Sequence, residues 1–407
     1  MTGPLAGARV VELASLWGAW AARTLADLGA EVIVVEPPGG HFTRSFGPFV
    51  DDQPHPDRSL WWWYYNASKK SVVIDLASSG GADDFRRLVG SADIVLEGER
   101  PARLASLGLD HPDFRAGRPE LVWTSVTSHG RASQRSEEPW TDLTLSAASG
   151  VAWLNGYDDH SLPPMRGRGS QTIQIAGLHA ALGTLTALVY RDASGGGQHI
   201  DVSAFAACNV TTESGTFVWL VAGDTVQRQT GRHASVHQTM EVQVQAGDGR
   251  YVTTGFPPQE AKDFRVLLGW LDELGLRESC PEAFFLDMGI ERGGINVAKE
   301  SADPVVMAIF GAVRTALVYI AEHLSASEFF EEAQRRDFQC GIIFSPEEAF
   351  ENPHFVARRF PTPVAHEELG REIRYPGAPF QMSKSPWAIQ SRPPQVGEHT
   401  EAVLGSI

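Results

Sequence analysis

Through the first 130 residues, short and almost wholly apolar runs alternate with stretches of helical periodicity. The runs are ARVVEL (8–13), EVIVVE (31–36), SVVIDL (71–76), DIVLEG (93–98) and LVWTSV (121–126). A strand with no polar face must be covered on both sides, so this alternation specifies a parallel sheet with helices on each face. After the first run, Trp17, Trp20, Ala21, Leu25 and Leu28 recur at helical spacing as far as Gly29. The fold class read from the pattern is α/β, a Rossmann-like doubly wound parallel sheet.

Such sheets take ligands at the carboxyl ends of their strands. A dinucleotide is disfavoured, because the first strand-to-helix turn reads LASLWGAW and not GxGxxG. GxxxxGK[ST] is absent as well. A net charge of −16 argues against nucleic acid, which needs a basic face. Cations do gather locally, with Lys69, Lys70, Arg86, Arg87, Arg100 and Arg103 close in sequence. With no uninterrupted 18-residue apolar run and no signal-like start, neither a membrane span nor export is expected. Cys208, Cys280 and Cys340 are isolated, without a CxxC pair. They read as reduced thiols of a cytoplasmic protein rather than metal ligands.

Residues 171–190 read as one long apolar helix, and SGGGQHIDVS (194–203) as a glycine turn into a strand. From about 230 the texture changes. MEVQVQ (240–245) alternates, GDG (247–249) turns, and RYVTTGF (250–256) answers, which is an antiparallel pattern. A smaller α+β domain is therefore expected at 228–325. Ser325 with Glu328, and Ser345 with Glu348, have capping-box spacing. The tail, with prolines at 376, 379, 386, 393 and 394, is an extended segment in need of a surface. WWWYY (61–65) is read as core or interface, because five consecutive aromatics point in all directions on any regular element. His233 and His237 lack an evident third ligand, and no metal is expected.

The segments GARVVEL…ADLGAEVIVVEPPGG, NASKKSVVIDL, ADIVLEGERPARLASLGL, GGGQHIDVS and ENPHFVARR…PPQVGEHTEAVL together resemble the class III CoA-transferases. That family includes formyl-CoA transferase, carnitine CoA-transferase and the α-methylacyl-CoA racemases. The resemblance runs from about residue 5 to 404, with 205–320 matching least. It implies a large domain made from both chain ends (1–227 and 326–407), a small domain between them, and an interlocked homodimer. It also implies transfer of CoA, as co-substrate, between an acyl-CoA donor and a carboxylic acid acceptor.

By the same resemblance, the nucleophile is an aspartate three residues after a glycine, which in NGYDDHSLPP (155–164) is Asp159. A carboxylate ionised at neutral pH can attack a thioester without a general base. Asp158 is read as a bystander pointing to solvent, the alternative being a charge that raises its neighbour's pKa. CoA is expected along Leu16, Trp17 and Gly18, along Ile74, Asp75, Leu76 and Ala77, and along Gly98 to Arg103, its arm passing Thr127. Arg103 is the expected phosphate contact, with Lys69 or Lys70 as the alternative.

Several positions depart from the family. Racemases carry a histidine where this chain has Thr141, and an aspartate at or near Thr172. Threonine cannot exchange an α-proton near neutral pH, so racemase chemistry is disfavoured. The family's CoA-phosphate arginine maps near Ser106, a basic residue after the second strand is replaced by Pro37, and its glycine-rich loop by ASVHQTM (234–240). An acyl-CoA racemase or isomerase, and a catalytically inactive CoA-binding relative, are the alternative readings.

Overall fold

The structure, a computed structural model, describes residues 3–407. They form two compact units. The larger holds 3–156, 163–224 and 350–407, and the smaller holds 157–162 and 225–349.

In the large unit, β1 (Arg9–Leu13), β2 (Glu31–Glu36), β3 (Lys69–Val73), β4 (Ile94–Glu97), β5 (Val122–Thr127) and β6 (His199–Ser203) form one parallel sheet. Its order is β3-β2-β1-β4-β5-β6, the Rossmann order, with the direction of winding reversing between β1 and β4. The connecting helices are α1 (Ala19–Asp27), α2 (Leu60–Asn66), α3 (Ser79–Gly90), α4 (Pro101–Leu107), α5 (His111–Arg115), α6 (Asp142–Ala148) and α7 (Gln171–Ser194). Two more, α8 (Ala204–Val210) and α9 (Ser214–Ala222), follow β6.

Both faces of the sheet are covered, as the apolar strands require. Val10, Val32, Ile94, Leu96 and Val126 pack with α1 and α7. The alternate residues Val11, Leu13, Ile33, Val35 and Val95 pack with Phe85, Leu88 and Leu104 of α3 and α4. The aromatic run became α2, started by the Ser59 hydroxyl accepting from Trp62 N–H. Trp62, Trp63 and Tyr65 are buried, so this run is core.

Strand β3 begins and ends earlier than the apolar run at 71–76 suggests. Lys69 is fully buried in it, its ammonium 2.7 Å from Glu12 and bonded to Ala19 O and Asn66 Oδ1. Its charge is satisfied inside the sheet, and hydropathy alone did not place it there.

The tail lies on the large unit. Thr400 Oγ1 accepts from Val73 N–H, His399 N–H donates to Ser71 O, and Gly397 N–H donates to Ser71 Oγ, so the tail covers the open edge of β3. A buried ion pair holds the same region. Arg44 Nε and Nη2 each lie 2.7 Å from an oxygen of Glu36, and Nη1 lies 2.9 Å from Asp57. The Arg44 guanidinium sits 3.8 Å over the Trp62 ring and also donates to Pro394 O.

The small unit has a hairpin of β7 (Gln227–Gln229) and β8 (Arg232–Ser235). A three-stranded antiparallel sheet, β11-β10-β9, combines β9 (Gln243–Gln245), β10 (Tyr251–Thr253) and β11 (Gly341–Ile342). The expected hairpin at 240–256 is therefore present. Its helices are α10 (Ala261–Glu273), α11 (Phe284–Arg292), α12 (Val297–Glu300), α13 (Pro304–His323) and α14 (Ala326–Arg335). The unit runs to 349 and not 325, because Phe329, Ala333, Phe338 and Cys340 belong to its core. Both capping boxes are formed. Beyond them lie α15 (Pro346–Glu351) and, in the large unit, α16 (Pro353–Ala357), the hairpin β12 (Pro361–His366) and β13 (Arg371–Pro376), and α17 (Thr400–Leu404).

Helices α7 and α13 are each long and apolar enough to cross a membrane, which a search for unbroken apolar runs overlooks. Half of the most apolar 18-residue stretch of each is buried, and both contribute to core clusters of their own units.

Replacing Arg44 with methionine leaves Glu36 buried and unpaired. We expect Arg44→Met to destabilise the protein by about 3–5 kcal/mol, read from urea unfolding. An unchanged unfolding midpoint would refute the role given to this pair.

Candidate active site

The carboxyl ends of β1 to β5 open onto one cleft of about 680 Å³. Leu16 and Trp17 border it after β1, and Ile74, Asp75, Leu76 and Ala77 after β3. Gly98 and Arg103 border it after β4, and Thr127 at the end of β5. Of the positions expected from sequence after β1, β3 and β5, all but one thus share this cleft. Gly18 is the exception. Its N–H donates to Ser15 Oγ at 2.9 Å, and a Cβ there would meet Leu96 at 2.6 Å, so it serves close helix–sheet packing behind the wall. At Gly98 the floor is equally tight, since a Cβ would lie 2.6 Å from Ser15 Oγ.

Sequence reasoning missed other walls of the cleft, among them Ser15, His41, Phe42, Ser128 and Trp140. The signal for His41 and Phe42 was the PPGGH turn after β2. His41 N–H donates to Glu36, and its Nδ1 lies 2.8 Å from Thr43 Oγ1. Burial pushes its pKa down to about 4, so the cleft wall carries a neutral imidazole at pH 7.

The cations divide sharply. Arg103 is exposed on the cleft rim and tied to Glu99 one helical turn back, at 2.9 and 3.1 Å. Arg100, also on the rim, forms no ion pair among the described residues. Lys69 is sealed in the core and Lys70 pairs with Glu31 at 2.6 Å, and neither borders the cleft. Both therefore fall out as alternative phosphate ligands of this cleft.

The two adjacent aspartates lie in the small unit, in the loop 157–162. They have opposite surroundings. Asp158 is not a bystander. Its oxygens accept from Arg232 Nη1 and Nη2 at 3.0 and 2.8 Å and from Thr230 N–H, while its own N–H donates to Thr230 Oγ1. Arg228 also donates to the carbonyls of His160 and Leu162, so the loop is laced to the β7–β8 hairpin. Asp159 faces outward from this anchored loop. Its Oδ1 accepts from Ser161 N–H and Oγ at 2.9 and 2.6 Å, and Oδ2 has no partner among the described residues. The Ser161 bonds hold the Asp159 pKa below the usual carboxylate range, so Asp158 does not raise it. For Asp158, bonds from Thr230 and Arg232 outweigh some desolvation, and its pKa is likewise lowered.

Thr141 caps α6, and the neighbouring Asp142 Oδ1 accepts from the N–H and Oγ1 of Thr172 at the start of α7. Both threonines are structural here, and neither can titrate near neutrality. His233 lies in β8 and His237 beyond it, so the pair does not share a helix face. No metal-holding group of histidine, cysteine or acidic side chains occurs among the described residues.

A profile described as CoA-transferase family III matches residues 5–400. The chain is 30% identical to the succinyl-CoA:(R)-benzylsuccinate CoA-transferase subunit BbsE of Thauera aromatica, covering 97% of this chain and 92% of that one. It is 29% identical to the succinate–glutarate CoA-transferase of Agrobacterium fabrum, covering 99% and 96%. In structure it matches a CAIB/BAIF family protein from Brucella suis with a TM-score of 0.79 at 24% identity, over the whole of both chains. The chain belongs to CoA-transferase family III, and its named relatives are transferases.

The His41 environment predicts a pH dependence. Unfolded, this histidine takes up a proton near pH 6.5, but in the folded protein only near 4. Its folded pKa is depressed, so the associated stability is present above about 6.5 and lost as pH falls through that window. His41→Asn should flatten the decline in unfolding free energy between these values, by an amount on the order of 3 kcal/mol at most. Equal slopes in the two proteins would contradict this assignment.

Proposed function

We propose that the protein moves CoA from an acyl-CoA thioester to a carboxylic acid, with Asp159 as nucleophile and the strand-end cleft as the seat of CoA. The observation that carries this reading is an ionised, outward-facing carboxylate on a loop anchored by its neighbour, in a chain of this family. Asp159 attacks the thioester carbonyl and expels CoA thiolate, giving an acyl–aspartyl anhydride. The thiolate attacks the aspartyl carbonyl, releasing the donor acid and leaving an aspartyl-CoA thioester. The acceptor carboxylate attacks that thioester and displaces the thiolate, which captures the acceptor's carbonyl and frees Asp159. Each attack creates an oxyanion, and backbone N–H groups of the loop are suited to stabilise it.

In the cleft, the rim arginines Arg100 and Arg103 are placed to meet the CoA phosphates. Both are exposed, so each contact is worth little and is weakened by salt. Benzylsuccinate, succinate and glutarate, named for the two relatives, are dicarboxylic acids, and we extend that class to this chain. The buried, unbridged cysteines accord with a reducing, cytoplasmic setting.

Asp159→Ala should abolish transfer, with a loss of at least about 10³-fold in kcat. Hydroxylamine added during turnover should convert Asp159 to a hydroxamate detectable by peptide mass spectrometry. Full activity in Asp159→Ala would sink the proposal.

A partner chain is part of this reading. No residue of α9 is buried, and Phe217, Trp219, Leu220 and Val221 are each at least 60% exposed. That surface needs cover. We take the cover to be a second copy, in the interlocked homodimer that the family resemblance implies. The relative named as a subunit favours a second reading, in which a different chain takes that place. Sedimentation of the purified protein should show a dimer that transfers CoA unaided. A monomer, active only when mixed with a second family member, would select the other reading.

A further inference from the structure

Arg314, on α13 in the small unit, is only 7% exposed. Its Nη1 donates to Thr254 Oγ1. Its Nε is buried with no hydrogen-bond partner, and no carboxylate pairs with the guanidinium among the described residues. Burial lowers the pKa of this group, and the one ionisable neighbour acting on it is Cys340. That thiol is itself pushed up to about 12 by burial and is neutral at pH 7.

The protein shows elsewhere how it satisfies a buried arginine. Arg44 grips Glu36 through Nε and Nη2, the two donors along one edge of the guanidinium plane. Arg23 pairs through Nε with Asp27. At Arg314 that same Nε–Nη2 edge has no acceptor. A desolvated guanidinium without an anion is strongly unfavourable, and a carboxylate is the anion that fits this planar fork with two parallel bonds.

This arginine, through Thr254, and the anchored aspartate loop, through Arg232, are bonded to one short stretch of chain, 239–242. Thr254 N–H donates to Val242 O at 2.8 Å, two residues beyond the segment that replaces the family's glycine-rich loop. Thr239 of that segment accepts from Arg232 Nε at 3.2 Å, and Arg232 clasps Asp158. We infer that Arg314 is a specificity-determining residue, whose free edge binds the far carboxylate of a dicarboxylic substrate. This rests on the transferase reading above and adds the residue that separates dicarboxylic from monocarboxylic acids.

The test compares succinate with butyrate, which has the same carbon chain and one carboxylate fewer, in the wild type, Arg314→Lys and Arg314→Met. Thermal unfolding is followed first, without CoA or turnover. Succinate, and not butyrate, should raise the wild-type midpoint, and Arg314→Met should lose that rise. Without ligand, Arg314→Met should unfold at or above the wild-type temperature, because it loses an unpaired charge. In transfer assays kcat/KM for succinate should fall about 100-fold in Arg314→Met, mostly through KM, with butyrate unchanged and Arg314→Lys intermediate.

A succinate response that persists in Arg314→Met overturns the inference, as does a wild type that treats the two acids alike. If Arg314→Met instead dissociates the oligomer or lowers the ligand-free midpoint, the arginine serves structure or a partner's carboxylate, and the inference falls. Should no acid pair be transferred at all, the transferase reading fails on its own and the unfolding comparison still decides the role of Arg314.

Discussion

The large unit is closed by one buried ion pair. Glu36 ends β2, where it accepts both donors of Arg44, the Ser71 hydroxyl and the His41 N–H. Arg44 in turn lies on Trp62 and holds Asp57 and Pro394 O. Through these few groups the aromatic helix α2, the edge strand β3, the tail and one wall of the cleft share a single anchor. A charge taken this far from water must keep every partner. That requirement ties one wall of the cleft to the core, and a wall held in place costs a ligand less ordering on binding.

The small unit separates holding from presenting. Adjacent aspartates would ordinarily repel, yet one is neutralised by Arg232 and fixes the loop, which leaves the other facing outward. An anchor directly beside a reactive group restricts its motion without occupying it. The same unit leaves a second polar edge without an acceptor at Arg314, but that edge is buried and not presented to solvent.

The parallel sheet was legible because burial on both faces removes polar residues from strands, and that depletion survives in the sequence. Rossmann order then places ligand-facing turns after β1, β3, β4 and β5, so most of the positions named in advance border the cleft, although its wall after β2 was not among them. What could not be read were partners distant in sequence. Lys69 resembled a phosphate ligand until Glu12 was found beside it, and Asp158 resembled a bystander until Arg232 came from 74 positions away. The short strand β11 was hidden for the same reason, since it has no local pattern apart from the fold that positions it. The family's segments were weakest over 205–320, and there the lost signal hid Arg314.

The tail's cover over β3 has a consequence for biosynthesis. The groups that pair with Ser71 and Val73 lie at 397–400, more than 320 positions downstream of the strand. On a translating ribosome the sheet's edge therefore stays open until nearly the whole of this sequence has left the exit tunnel. The intervening small unit, continuous from 225 to 349, is able to fold first. An open parallel edge is a template for pairing with other chains. The nascent protein is thus most vulnerable to aggregation late in elongation, and any premature stop before residue 397 leaves that edge permanently exposed.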